Sequence, residues 1–556
     1  MIDEIWANFI VDCCIQNGID HFFLAPGSRC TPLTLAIARH AGARVTRHYD
    51  ERGLAFATLG YGKVSGRPGV FVCTSGTAVA NALPAVIEGA MEKTPLLLFT
   101  ADRPPELLGV GANQAIQQKN IFGEYPELFR NMPVPEDQQS EDDPDGLQYL
   151  SSELTKGIEA AGKGPVHFNW MFREPFSIDQ KDQTKNHSTD INPILLACRA
   201  ELETEIETPI ELTGNTVIAL GRCHPKEAEE VQWLAQKLQA PLLADITSGL
   251  SQSSFELPTE FSLPAPDTIL HIGGRIVSKS WHLWTSSLRD SKTQYLHVTP
   301  QDLVINPEHL ELRRFVRPLS NLTDKISGPS TTEEFTDKWQ RAADSRDTII
   351  TNLLGRTTRF SEPSIAYLLN ENCPQTNGLF IGNSMVIRDM DWFRTRTANN
   401  PRSVLANRGA SGIDGLIATA TGYCAGLRKP TTVVVGDLSA LHDLNSLSLA
   451  AKSDWPMIIF IVNNRGGHIF DLLPVRESDC FEEYFATPHT YQFNKAAEMF
   501  GIDYRCIETM EDLSKNYAEA LSGKQSVVFE LATHRQHNLE VRQQIREEIS
   551  KCSIQP

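Results

Sequence analysis

TTVVVGDLSALHDLNSLSLAAKSDWPMIIFIVNN, residues 431–464, holds two short apolar runs with a helical pattern between them. TTVVV runs into Gly436-Asp437, and MIIFIV ends at Asn463-Asn464. Short runs that are apolar at nearly every position are strands buried on both faces of a parallel sheet. Ligands of open α/β sheets bind beyond the carboxyl ends of such strands. A carboxylate at one strand end and an amide oxygen at the next are hard oxygen ligands suited to Mg²⁺. The helix N-terminus after Gly436-Asp437 offers free backbone N–H groups to a phosphate, and Gly436 lets the backbone come close. Taken alone, the same residues are equally well a turn and a loop.

The rhythm continues outward. In the last third GLFIGNS, SVLANRG and SVVFELAT read as further strands, with GIDGLIATATGYCAG a helix. In the first third HFFLAPG, GVFVCTSG and PLLLFTADRP are strands. TPLTLAIARHAG, ERGLAFATLGYGKVSG and TAVANALPAVIEGAMEK are the helices between them. The middle repeats the pattern in NTVIALGRC, EAEEVQWLAQKLQA, PLLADITSG, DTILHIGGR and QYLHVTP. This predicts an α/β protein of three open domains with mostly parallel sheets, at 1–180, 193–320 and 335–556. Polar stretches at 180–192 and 320–334 are read as linkers.

The 556 residues suit about three domains at roughly 100–200 residues each. The hydrophobic share of 41% and net charge of −18 describe an acidic globular chain, a poor nucleic-acid binder. Anionic substrates must therefore be held by local Arg and Lys. Eleven cysteines include no CxxC pair, so neither zinc nor a redox motif is signalled, and reduced thiols in a cytoplasmic protein are expected. The acidic, amphipathic start is not a signal peptide, and no apolar run is long enough to cross a bilayer.

GDL followed by NN resembles the signature of thiamine-diphosphate enzymes, which have Gly-Asp-Gly followed, one helix later, by Asn-Asn. The third position is Leu438 here. The resemblance implies that Gly436, Asp437, Leu438 and Ser439 hold the diphosphate. Asp437, the Asn464 side chain and the Gly466 carbonyl would hold Mg²⁺ or Mn²⁺. These enzymes also need a carboxylate against the aminopyrimidine N1′, in a pocket where it can share a proton. Glu51 in RHYDERGLAFATLGYGKVSG is the candidate, with Asp50 its neighbour and competitor; a solvated Glu in a helix first turn is the plain alternative.

APGSRCTPLTLA, DERGLAFATLGYGKVS, TSGTAVAN, TADRPPELLGVGANQAI, GNSMVIRD, NRGASGIDGL, GDLSALHDLNSL and NNRGGHIFDLLP together are similar to one family of menaquinone biosynthesis, the 2-succinyl-5-enolpyruvyl-6-hydroxy-3-cyclohexene-1-carboxylate synthases. That resemblance implies decarboxylation of 2-oxoglutarate and 1,4-addition of the succinyl carbanion to isochorismate, in a homodimer or tetramer. Both substrates are dicarboxylates, so several cations are needed, ideally Arg. By resemblance Ser28, Arg29, Arg103, Asn113, Gln114, Lys279, Arg388 and Arg408 contact substrate. Arg29 and Gln114 are implied to be catalytic with Glu51, Gln114 near the reacting carbonyl. Lys279 is followed by Ser280 where the family carries Arg, and Arg275 is a possible substitute. Ile413 matches the apolar wedge that bends the cofactor; ordinary helix core is the alternative. Ser384 and Ile469 line the cofactor, and Ile469, Phe470 and Leu473 form an apolar wall. His442 and His468 receive no role. An acetolactate-synthase-like enzyme, a catalytically silent homologue and a dinucleotide-binding enzyme are the competing readings.

Overall fold

The computed structural model describes residues 2–140, 143–174, 176, 209–396 and 402–553. Among the described residues every strand pairing is parallel. The chain packs as two compact units, one of Met1–Glu201, Asn407–Arg428 and His442–Asp454, the other of Leu202–Ala406, Lys429–Leu441 and Trp455–Pro556.

The first unit is built on a six-stranded sheet in the order Arg44–Arg47, His21–Leu24, Gly69–Cys73, Leu96–Asp102, Pro165–Met171, Leu128–Met132. The strands Gly69–Cys73 and Leu96–Asp102 are buried at every position, which is why they read as unbroken apolar runs. Helix Ile2–Gln16 buries Cys13 and Cys14 against one face, as free thiols. TAVANALPAVIEGAMEK, read as one helix, divides into Thr77–Ala80 and Leu83–Met91. Helix Glu51–Ser65 lies directly on Leu416–Leu427. Small residues allow this approach: a Cβ at Gly60 would stand 2.0 Å from the Thr419 carbonyl oxygen, and one at Gly422 only 1.7 Å from that of Ala57.

The second unit carries two larger sheets. A five-stranded one has the order Leu312–Val316, Gln294–Thr299, Thr268–Ile272, Thr216–Leu220, Leu242–Ala244. The six-stranded one has the order Val404–Leu405, Gly378–Ile381, Thr431–Gly436, Met457–Asn463, Val527–Ala532, Asp503–Ile507. The 22-residue helix Glu333–Leu354 joins their cores: Phe335 and Trp339 pack with the first, Ile350 and Leu354 with the second. The stretch 320–334, expected to be a linker, instead forms helix Leu322–Lys325 and strand Ile326–Ser327, paired with Ile210–Glu211. Leu322 and Ile326 are buried there, so its polar residues coat a packed element. The other linker, 180–192, lies outside the described residues.

Candidate active site

In the first unit three loops lie at or beyond strand ends of its sheet. Asp50 caps helix Glu51–Ser65, its carboxylate accepting from the Arg52 and Gly53 N–H groups. Glu51 is thereby left at the first helical position with the cap filled by its neighbour. Its charge reaches Cys73, whose thiol is raised by burial first and then by Cys30 and Glu51. The turn after His21–Leu24 sits against Thr74, where a Cβ at Gly27 would stand 2.3 Å from the Thr74 Cβ. Arg29 is buried. Its Nη1 donates to the Phe172 carbonyl at 3.0 Å, its Nη2 meets Glu174 at 2.8 Å, and its guanidinium lies over Phe176.

Arg103 follows strand Leu96–Asp102 and is 92% buried, since 8% of it is exposed. Its Nη1 has no hydrogen-bond partner among the described residues. Burial and then the Arg29 cation hold its guanidinium below the ordinary value. Two neighbouring cations, one with an unused buried N–H, form a receptor for an anion. Gln114 adopts φ +56° and donates to the Ser75 carbonyl at 2.9 Å, so its segment is a turn. Gln118 donates to Ala101 and Asn169 and accepts from Gly76 N, tying that turn to the sheet.

The loop with Arg408 and Ile413 is held from beneath. Glu88 accepts from Gly409 N at 2.9 Å and Ala410 N at 2.6 Å. Lys63, itself buried, bonds Glu88, Glu92 and Asn407. Ile413 precedes helix Leu416–Leu427 and is 38% exposed, so the helix-core alternative is excluded.

In the second unit Asp437 is buried at the strand end. Its Oδ1 accepts from Leu438 N at 2.7 Å; its Oδ2 accepts from Gly466 N at 3.0 Å and meets His489 Nε2 at 3.1 Å. The Tyr491 N–H donates to His489 Nδ1 at 3.2 Å, so the imidazole proton sits on Nε2 and is given to Asp437. Burial pushes the Asp437 carboxyl up, against these donors. Asn464 donates from Nδ2 to Glu362 at 2.7 Å, while its Oδ1 is buried with no partner among the described residues. An acceptor held out of water with nothing to accept from fits a hard divalent cation, and Asp437 and the Gly466 backbone stand together to complete an oxygen donor set. A Cβ at Gly466 would come within 2.4 Å of the Ala486 carbonyl, so only glycine passes there.

Against known families, residues 6–121 match the N-terminal TPP binding domain of thiamine pyrophosphate enzymes. Residues 207–381 match the middle domain of thiamine pyrophosphate enzymes, and 389–531 their C-terminal TPP binding domain. A 2-succinyl-5-enolpyruvyl-6-hydroxy-3-cyclohexene-1-carboxylate synthase of Pelodictyon phaeoclathratiforme is 37% identical over 97% of this chain and 94% of its own. The synthase so named in Rubrobacter xylanophilus is 37% identical over 98% of both chains. That of Salinibacter ruber is 34% identical over 99% of this chain and 97% of its own. The chain belongs to this synthase family.

Not every residue that the synthase motifs single out is built into a site. Ser28, Asn113 and Lys279 are exposed, with Lys279 opening helix Lys279–Ser287. Ser280, where the resemblance leads one to expect Arg, donates its hydroxyl to Glu256. Arg388 is exposed on helix Met385–Trp392, not at a strand end, and donates to the Ser384 carbonyl. Ser439 is buried, whereas Gly436 and Leu438 are half-buried. Ile469 and Phe470 lie on a short 3₁₀ turn, His468–Leu472, and Leu473 follows it, 42% exposed. Arg535 pins this turn through both oxygens of Asp471. His442 and His468 have ordinary polar partners, Arg52 and Asp471. His489, Glu362 and Glu88 escaped the sequence reading: each meets its partner from a distant segment, and no local motif marks it.

Proposed function

We propose that this chain makes 2-succinyl-5-enolpyruvyl-6-hydroxy-3-cyclohexene-1-carboxylate and CO₂ from 2-oxoglutarate and isochorismate, in menaquinone biosynthesis. The observation that carries the reading is the Arg29–Arg103 pair, two adjacent buried guanidiniums in a chain that matches this synthase family along nearly its whole length. A dicarboxylate gains from such a pair what a small monocarboxylate such as pyruvate would leave half used, which disfavours the acetolactate-synthase-like alternative. Retention of Glu51, Asp437 and Asn464 together disfavours a silent homologue.

Thiamine diphosphate, when bound, supplies an electron sink for the pair released on decarboxylation and returns that pair to the acceptor. Asp437, Asn464 Oδ1 and the Gly466 carbonyl would hold Mg²⁺ or Mn²⁺, and Gly436, Leu438 and Ser439 at the helix start would take the diphosphate. Glu51 would hold a proton at the aminopyrimidine N1′. Ile413 would bend the cofactor, and Ser384 and Ile469 would line it. Arg29 and Arg103 grip the donor carboxylates, Gln114 orients the reacting carbonyl, and Arg388, Arg408 and Lys279 serve the acceptor. Ser28, Asn113, Phe470 and Leu473 complete the enclosure. Residues 1–180, 193–320 and 335–556 act as the pyrimidine-binding, middle and diphosphate-binding domains of a cytoplasmic homo-oligomer, dimer or tetramer.

The test is consumption of isochorismate, followed by its ultraviolet absorbance, with purified protein, thiamine diphosphate and Mg²⁺. Loss that needs both 2-oxoglutarate and cofactor supports the reading, and Glu51→Gln should abolish it in a folded protein. Consumption of pyruvate with isochorismate untouched would refute it.

A further inference from the structure

Glu362 opens helix Glu362–Asn372, remote in sequence from the strand-end motifs. Its Oε1 accepts from Asn464 Nδ2 at 2.7 Å and its Oε2 from Arg542 Nη2 at 2.5 Å. Arg542 donates to both oxygens of Asp389 at 2.7 Å, and Asn538 Oδ1 accepts the Glu362 backbone N–H at 2.9 Å. Glu362, Arg542, Asp389 and Asn538 are all buried, and each oxygen of this carboxylate has a partner, Asn464 on one and Arg542 on the other.

A carboxamide has a donor end and an acceptor end, and rotating it by half a turn exchanges them. Asn464 offers its donor end to a carboxylate that can only accept, which leaves a single orientation. In that orientation Oδ1 is the buried atom without a partner. We propose that Glu362 is a positioning residue for the divalent cation: it selects the orientation of Asn464 that presents Oδ1 as a ligand. This rests on the metal site proposed above. Partners that orient metal ligands in this way contribute about 10–100-fold in affinity.

The experiment titrates Mn²⁺ into protein saturated with thiamine diphosphate and reads free Mn²⁺ by electron paramagnetic resonance. Wild type is compared with Glu362→Ala, Glu362→Gln, Asn464→Ala and the double variant Glu362→Ala/Asn464→Ala. Thermal melting of each metal-free protein checks the fold, which Arg542 still supports through Asp389. Glu362→Ala should weaken Mn²⁺ binding about 10–100-fold. Glu362→Gln has one acceptor end for two donors; the charged Arg542 takes it, its amide N–H₂ turns toward Asn464, and Mn²⁺ binding should weaken as in Glu362→Ala. In the Asn464→Ala background, loss of Glu362 should change nothing further. Wild-type affinity in Glu362→Ala overturns the proposal, as does an equal loss with and without Asn464. A wild type that binds no Mn²⁺, or an Asn464→Ala protein that binds it normally, overturns the metal site as well.

Discussion

Lys63→Met removes a cation from a buried cluster. Lys63 Nζ lies 2.8 Å from Glu88, 2.7 Å from Glu92 and 2.9 Å from Asn407 Oδ1, and neither carboxylate has more than 6% of its side chain exposed. Burial pushes the Glu88 carboxyl up; Lys63 and the Gly409 and Ala410 N–H groups outweigh it and hold it below the ordinary value. A folded-state value held down contributes stability above the unfolded pKa and loses it as pH falls through the folded one. Taking Lys63 away reverses the sign: burial then dominates, Glu88 rises above its unfolded value, and the variant loses stability as pH rises. Breaking a buried pair from one side costs about 3–5 kcal/mol. At about 2–4 °C per kcal/mol, the scale for a unit of roughly 150–250 residues such as the first one, this lowers that unit's melting temperature by about 6–20 °C at pH 8, and by clearly less at pH 5. Melting curves of both proteins at the two pH values measure it. A shift under about 2 °C, or the same shift at pH 5 and pH 8, would refute the account.

Arg103→Met should raise the KM for a dicarboxylate substrate about 10–150-fold, the worth of a charged hydrogen bond at about 1.5–3 kcal/mol. Its melting temperature should hold, because Arg103 Nη1 has no partner within the protein's described residues; a falling melting temperature with unchanged KM would make Arg103 structural. His167 is fully buried beside Thr100 Oγ1 at 2.7 Å, and burial pushes its imidazole down to about 3. It therefore contributes stability above about pH 6.5 that drains away as pH falls toward 3, about 4–5 kcal/mol in all. Urea midpoints at pH 7 and pH 5 should converge in His167→Gln, and an unchanged gap would count against it. Gly422→Ala should cost about 1–3 kcal/mol or more by overpacking the helix crossing, read as a lower melting temperature. Gly162→Ala, whose Cβ would meet its nearest atom at 3.4 Å, should be near neutral.

The central strands were legible because a strand buried on both faces has no polar side to show. Met457–Asn463 and Leu96–Asp102 declare themselves by composition alone. Of the strands that went unread, Arg44–Arg47, Leu128–Met132, Leu312–Val316 and Asp503–Ile507 are sheet edges, where many side chains meet water; Pro165–Met171 is an inner strand, buried throughout, whose apolar run is interrupted by His167 and Asn169. Asp437 and Asn464, the proposed metal ligands, followed from strand ends and a known signature. The groups that orient them did not, because His489 and Glu362 are brought in by tertiary packing from 52 residues downstream and 102 residues upstream. Arg29 and Arg103 could be named as cations from their motifs, but only burial distinguishes them from the exposed Arg388.

The crossing of Glu51–Ser65 with Leu416–Leu427 has a bearing on biosynthesis. The first unit closes over a helix from the last third of the chain, and about two hundred residues of the other unit lie between them. At roughly 5–20 residues per second, a ribosome takes about 10–40 s to deliver that helix after the first segment has emerged. Throughout this interval the face around Gly60 waits uncovered, including Leu54, Ala57 and Tyr61, buried in the finished protein. The nascent chain thus has a defined window in which a chaperone can bind or a neighbouring chain can mispair, and it closes when residues 416–427 arrive.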